Sequence, residues 1–311
     1  GVAASEVSSL GCHTDLWLPS EKTFSELAVT RGWATRAAPV RGAGDVLGSV
    51  SAEFADATGL NADCDVLCGL HDSNSALLAA RGNPEIEASD ATVLSTGTWF
   101  IGMRSLGGGD AELPQLEEAR DCLVNVDVLG RSTPSARFMG GREAELVASH
   151  CSFELTDNFE PYELLRRLTG LSARHDPPSP SFVHGVGPCP DALGAWTDPP
   201  EDPNDQRALM HLYLALMANA SLDLIGSRDH LLVEGRFAED PVFVRALAAL
   251  RPHQCIYTSN AEHDVAFGAL RLVDPALTVA ADLTTVEPLD FDLAEYALTW
   301  RRRAEQAQEA A

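Results

Sequence analysis

Between Gln206 and Leu272 the hydrophobic period of the chain switches repeatedly between helix and strand. Leu209, Leu212, Leu216, Ala220 and Leu224 recur at helical spacing across residues 206–226. His230–Val233 is a short apolar strand that ends at Glu234-Gly235. Pro241 opens the next helix, where its missing N–H removes no hydrogen bond because first-turn donors have no intrahelical acceptor. That helix carries Phe243, Leu247 and Leu250. Cys255–Tyr257 reads as a further strand and Ala261–Leu272 as a further helix. A strand–helix–strand–helix succession buries its apolar faces by laying helices on a largely parallel sheet, which predicts an α/β fold.

The rest of the chain carries shorter signals. A helix-like run passes through Phe54 and Ala57 and stops at Gly59. Val66–Gly69 is apolar and partly β-branched, which predicts a buried strand. An Ala- and Leu-rich helix follows over Ser73–Ala80, ended by Gly82 and Pro84. Ala91–Ser95 and Thr98–Ile101 form a strand pair about a turn at Thr96-Gly97, and Leu123–Val128 with Arg131–Phe138 form a second pair around Gly130. Helices are predicted over Gly141–Ala148 and Pro161–Leu168, and a long surface loop over the Pro- and Gly-rich stretch His175–Pro200. The first residues show neither a helix start nor a turn-bounded strand.

With 311 residues the chain is long enough for about two domains. Hydrophobic residues make up 45% and charged residues 22%, enough apolar mass for a core without staples. The 22 basic residues face 46 acidic ones, a net charge of −24, and Lys22 is the only lysine. So acidic a surface disfavours phosphate backbones and anionic lipid. No apolar run reaches the ~18 residues of a membrane span, and the opening residues do not read as a signal peptide. Seven irregularly spaced cysteines predict scattered, reduced thiols and no structural metal or disulfide. Cys64 and Cys68 on one strand would stand ~13 Å apart, too far to share a zinc ion with His71.

A P-loop, a GxSxG elbow and an HExxH helix are all missing, which leaves three places where chemistry can sit. In Gly69-Leu70-His71-Asp72-Ser73-Asn74-Ser75-Ala76 a strand runs into a carboxylate at a helix start, and strand C-termini are where open α/β sheets bind ligands. Taken alone, Asp72 also reads as a helix cap. Ser95-Thr96-Gly97-Thr98 puts small residues in a tight turn where N–H groups and hydroxyls can converge on an anion, though it also fits an ordinary hairpin. Val233-Glu234-Gly235-Arg236 places a glycine at a strand-to-helix turn, which allows a ligand to approach or simply makes the turn.

Together these stretches carry a resemblance. The segment at 69–76, followed by Leu94-Ser95-Thr96-Gly97-Thr98-Trp99, resembles the FGGY carbohydrate kinases, in particular their rhamnulokinase-like and fuculokinase-like branch. Phe138-Met139-Gly140-Gly141-Arg142-Glu143 is similar to a segment of that branch. The helix 206–226, Leu231-Leu232-Val233-Glu234-Gly235 and Ala266-Phe267-Gly268-Ala269 resemble the adenosine-binding end of the family.

The resemblance implies an α/β actin-like (ribonuclease H-like) ATPase fold, here the C-terminal domain plus the end of the N-terminal domain. Residues 1–88 would be the last part of the sugar-binding domain, 89–290 the nucleotide-binding domain and 291–311 a C-terminal helix. The implied activity is ATP-dependent phosphorylation of a hydroxyl of a ketose, deoxy-sugar or related polyol. Asp72 would be the general base and His71 would lie beside the sugar. Thr96, Gly97 and Thr98 would hold the β- and γ-phosphates, and Gly235 with Arg236 would border the adenine and ribose. Mg²⁺ would bridge the phosphates, with no protein metal ligand assigned. The implied partners are a sugar and ATP rather than nucleic acid or membrane, the compartment is the cytoplasm, and a homodimer is compatible. Family members carry a further N-terminal half with an Asp-x-Gly-Thr phosphate motif, so the gene product is expected to extend upstream of Gly1. Their adenosine motif is rich in Gly-Gly, where this chain reads Glu234-Gly235-Arg236. The alternative reading is therefore a nucleotide-binding pseudokinase or regulatory module without phosphotransfer.

Overall fold

The computed structural model describes residues 1–12, 14–87, 89–107, 113–156, 159–259, 265–278 and 283–309. The chain forms two compact units, each discontinuous in sequence. The first comprises Gly1–Glu87, Val124–Thr133 and His263–Ala280, and the second Ala88–Leu123, Pro134–Glu262 and Ala281–Ala311.

A seven-stranded sheet runs in the order Leu283–Thr285, Cys255–Ser259, His230–Gly235, Ala91–Thr96, Phe100–Ser105, Ser132–Phe138, Cys122–Val126. His230–Gly235 pairs in parallel with both of its neighbours, and the pairings of Phe100–Ser105 and Leu283–Thr285 are antiparallel. Parallel neighbours need long crossovers. The helix Pro241–Leu250 supplies the one between His230–Gly235 and Cys255–Ser259. The α/β pattern expected of the C-terminal third is therefore present, with its last helix described as Val265–Val273. Residues 261–264, assigned to that helix from sequence, lie outside the described residues.

The helix Pro203–Leu224 is the centre of the second unit. Every residue from Gln206 to Asn219 is buried. The sequence displays a single leucine face, but this helix is covered on several sides, by Gly140–Ala148, Pro161–Ser172 and Pro241–Leu250. A helix covered all round needs small or apolar residues all round. Fully burying each of Leu209, Leu212 and Leu214 is worth ~1.5–3 kcal/mol before the entropy of ordering is subtracted.

The stretch His175–Pro200 contains no helix and only an isolated antiparallel bridge between Ser179 and Ala195, but it is not a surface loop throughout. Ser181, Cys189 and Ala192 are buried. The cause is Glu143, on the helix Gly140–Ala148 and only 1% exposed. Its carboxylate accepts hydrogen bonds from Ser181 Oγ (2.7 Å), Phe182 N (3.0 Å), Val183 N (2.9 Å) and the Tyr213 hydroxyl (2.8 Å). A buried charge is tolerated when its lone pairs are filled in this way. Burial first, and then the Glu143 charge, push the Tyr213 phenol well above its ordinary range. The Trp300 indole of the C-terminal helix Ala294–Glu309 pins the same stretch by donating to Pro178 O (3.1 Å).

The first unit is built from short pieces. The strand predicted as buried over Val66–Gly69 is observed as Asp65–Leu67; among the described residues it pairs with Val46–Ser49 and is largely exposed, with Val66 40% and Val46 55% accessible. Apolar composition signals a strand there but does not decide whether another layer covers it. The helix Ala52–Thr58 starts at a Ser51 cap and ends at Gly59, whose φ of 76° is the left-handed stop expected of it. The helix Asp72–Ala80 packs closely on Val265–Val273. A β-carbon at Gly268 would meet the Ser75 carbonyl oxygen at 1.9 Å, and Ser75 Oγ donates to Val265 O at 2.6 Å. The Ala266–Ala269 segment, tied by resemblance to adenosine binding, thus makes a helix–helix contact. No helix among the described residues is long and apolar enough to cross a membrane.

Candidate active site

The His71-Asp72 corner is held from behind. A short helix, Val7–Gly11, is capped by Glu6, whose buried carboxylate accepts from Ser8 N (2.8 Å) and Ser8 Oγ (2.6 Å). Ser8 Oγ in turn accepts from the His71 N–H (3.2 Å). The opening residues gave no sign of this helix because Glu is not a usual cap. Sequence reasoning therefore missed Glu6 and Ser8.

His71, not Asp72, caps the helix Asp72–Ala80, and Asp72 is its first residue. Ser73 N donates to Asp72 Oδ1 (2.6 Å), and His71 Nδ1 lies 3.0 Å from the same oxygen. The Asp72 side chain is 74% exposed, against 33% for His71. One carboxylate oxygen is thus fixed, and Oδ2 has no hydrogen-bond partner among the described residues. A carboxylate anchored through one oxygen and open at the other can accept a proton from a hydroxyl placed against it.

In the second unit the structure brings the other predicted residues together. Gly235 is in register with Thr96 on neighbouring parallel strands. Thr96 is 2% exposed, and its hydroxyl is already engaged: it donates to Glu234 O and accepts from Phe237 N (3.1 Å). Thr96 therefore ties the two strand ends together, and the exposed hydroxyl of the turn is that of Thr98. The strand predicted from Thr98 begins at Phe100, which leaves Gly97-Thr98-Trp99 as the turn. Gly141 N donates to Thr98 O (3.2 Å), and a β-carbon at Gly141 would lie 2.5 Å from Gly97 O. The paired glycines at 140–141 let the helix Gly140–Ala148 start directly against this turn. A helix start with its unpaired N–H groups favours negative charge.

Beyond Gly235 the backbone makes a single 3-10 turn, Arg236–Glu239. The Arg236 guanidinium lies 4.8 Å from the centre of the Phe237 ring. A cavity of about 300 Å³ opens beside it, lined among others by Phe159, Met210, His211 and Phe237. At its edge Asp240 caps the helix Pro241–Leu250 through Phe243 N (2.9 Å) and pairs with His211 Nδ1 (2.6 Å). Burial acts to raise the Asp240 pKa, but the His211 charge and hydrogen bond, with the Phe243 and Val242 N–H groups, outweigh it and hold the carboxyl low. Among the described residues no group of three or more His, Cys, Asp or Glu is placed to hold a metal ion.

Residues 88–281 match the family model for the C-terminal domain of the FGGY carbohydrate kinases. Among curated proteins none matches this chain in sequence. Among solved structures, a carbohydrate kinase from Novosphingobium aromaticivorans is 50% identical, covering 99% of this chain and 66% of its own, with a TM-score of 0.92. A ligand-bound xylulose kinase from Lactobacillus acidophilus (12% identity, 99% of this chain and 64% of its own, TM-score 0.72) shares the fold. So does the glycerol kinase of Plasmodium falciparum solved with ADP (11% identity, 99% and 64%, TM-score 0.69). This chain therefore spans slightly less than two thirds of each of these kinases. With the family model covering more than half of the chain and a half-identical relative along nearly all of it, the chain belongs to the FGGY carbohydrate kinases and has their actin-like ATPase fold.

Proposed function

We propose that this chain supplies the catalytic base and the nucleotide site of an ATP-dependent sugar kinase. The observation that carries the reading is the Asp72 carboxylate, fixed through Oδ1 and open at Oδ2 at the start of a helix. The acceptor is a ketose, deoxy-sugar or related polyol, as in the rhamnulokinase-like and fuculokinase-like branch. The first compact unit, which holds Asp72, belongs to the sugar-binding domain, and the second, which holds Thr98, Gly235 and the C-terminal helix Ala294–Glu309, to the nucleotide-binding domain. The protein acts in the cytoplasm on small molecules, and its net charge of −24 disfavours nucleic acid and membrane as partners.

The sugar oxygen attacks the γ-phosphorus of ATP as the bond to the β–γ bridging oxygen breaks, ADP leaves, and the hydroxyl proton passes to Asp72 Oδ2. Phosphoryl transfer has a loose transition state, so placement and charge stabilisation dominate the rate. His71 lies beside the sugar, and the Ser73 N–H keeps the Asp72 carboxylate oriented. Thr98 and the Gly97 backbone contact the β- and γ-phosphates, while Thr96 acts by holding Gly235 and the turn in place. Gly235 and Arg236 border the adenosine, with the cavity beside Arg236 receiving the base. Mg²⁺, which neutralises phosphate charge when bound, is assigned to the phosphates themselves and not to a protein cluster.

The test is ADP release by the complete gene product with ATP, Mg²⁺ and a panel of ketoses, deoxy-sugars and polyols. Turnover stimulated by one sugar class is the expected result. Nucleotide binding with no sugar-dependent turnover would establish the pseudokinase or regulatory module instead.

A further inference from the structure

A cavity of about 350 Å³ in the first unit is lined by none of the site residues assigned above, and every residue that lines it belongs to that unit. Its walls are the helix Asp72–Ala80, the hairpin tip 127–131 and the end of the helix Val265–Val273. Leu77, Leu78, Leu129 and Leu272 form its apolar part. The size is that of a small-molecule site.

Three arginines, Arg81, Arg131 and Arg271, line this cavity, in a chain of net charge −24. Two carboxylates, Asp127 and Glu87, share the lining with them, and the Arg81 guanidinium donates to Glu87 O. Asp127 is committed to Arg131, with Nε donating to Oδ2 at 2.7 Å. Glu87 reaches Arg271 only at 3.5 Å and is 61% exposed. Desolvation first, then the Arg131 charge and more weakly that of Arg271, hold the Arg81 pKa down against the Asp127 and Glu87 carboxylates. Arg131 and Arg271 are therefore close enough to Arg81 for their charges to act on it.

Asn74 supplies the second observation. It lines the same cavity, is 1% exposed, and neither Nδ2 nor Oδ1 has a hydrogen-bond partner; Arg271 Nε is likewise buried and unpartnered. Buried polar atoms are almost always paired. An amide with both ends open, beside three cations and an apolar wall, is the inventory of a site for an amphipathic anion.

We propose that this pocket binds a small organic anion. Its carboxylate or phosphate-ester group lies among Arg81, Arg131 and Arg271, a hydroxyl or carbonyl pairs with the Asn74 amide, and its carbon skeleton rests on Leu77 and Leu129. Guanidinium groups suit either head group because their N–H fork matches two oxygens at once. The ligand is neither the sugar nor the nucleotide of the reaction, and the site stands whether or not that reaction is the one proposed.

The test is calorimetric titration of the complete gene product with citrate, 3-phosphoglycerate and inorganic phosphate, each against sodium chloride at equal ionic strength. The expected result is saturable binding of at least one organic anion. Citrate and 3-phosphoglycerate separate the carboxylate from the phosphate-ester source. Arg131→Gln and Asn74→Leu should each weaken that binding at least tenfold and leave ADP affinity unchanged. Heats no larger than those of chloride, or equal binding by the wild type and both variants, would overturn the proposal. So would a pocket already filled by an upstream segment, seen as no binding at all. If a variant does not fold, the Asn74 side-chain amide resonance of the wild type decides. It must shift with the organic anion and not with chloride, and a resonance that does not move removes the site.

Discussion

Gly235 stands opposite Thr96 in a parallel ladder with φ at +86°, and a β-carbon at Gly235 would lie 2.3 Å from the Thr96 carbonyl oxygen. Both the conformation and the space require glycine. Gly235→Ala must push the two strand ends apart. It is expected to lower stability by ~2 kcal/mol or more and to weaken ADP binding at least tenfold. Equilibrium unfolding and calorimetry check the two effects separately, and unchanged ADP affinity would remove Gly235 from the nucleotide site.

Thr96 and Thr98 should separate cleanly despite being two residues apart. Thr96→Val leaves Phe237 N without its acceptor in a buried position, with an expected loss of ~1–3 kcal/mol in urea unfolding. Thr98 is exposed, so Thr98→Val should leave stability within ~0.5 kcal/mol and raise the KM for ATP. The opposite pattern would reverse the roles assigned to them.

Asp72→Asn keeps the shape of the corner but removes the proton acceptor. The expected loss in kcat is ~10²–10⁴-fold, with ATP binding unchanged. Steady-state kinetics beside a nucleotide titration measure both. A kcat equal to wild type would reduce Asp72 to a helix-start residue.

Glu143→Ala leaves Ser181, the Phe182 and Val183 N–H groups and the Tyr213 hydroxyl without their shared acceptor. The expected cost is ~3 kcal/mol or more, accompanied by new protease cuts within residues 175–200. Limited proteolysis of variant and wild type shows whether Glu143 is what holds that stretch down.

The Asp240–His211 pair has a definite pH signature. The folded carboxyl is held below its ordinary value, so its contribution is fully present above the unfolded Asp pKa of ~3.9 and is lost as pH falls through the lower folded value. Asp240→Asn should therefore be less stable than wild type at pH 7. The gap should close as the pH drops below about 4. Urea midpoints across pH 3–7 follow this, and a gap independent of pH would mean that the charge of the Asp240 carboxylate contributes nothing.

Local chemistry made several elements legible before any tertiary contact was known. Leucine spacing marked the helix at 206–226, Pro241 and Gly59 marked an N-terminus and a stop, and the strand pairs about Gly97 and Gly130 followed from turn residues. These signals lie within a few residues of what they determine, as did the motif residues that carried the family resemblance. Other features depended on what lies across the fold. Val66 has the composition of a core strand and is 40% exposed, because burial is set by what packs against a strand and not by its own residues. Glu143 looks like any surface glutamate until Ser181, Val183 and Tyr213 arrive from 38 to 70 residues away to fill its lone pairs. Thr96 reads as a phosphate-binding hydroxyl, yet Phe237, 141 residues later, engages it. A buried polar group is defined by its partners. Sequence determined which residues could hydrogen-bond or bury, and the tertiary structure decided which groups they met, because desolvation and pairing act through space and not along the chain.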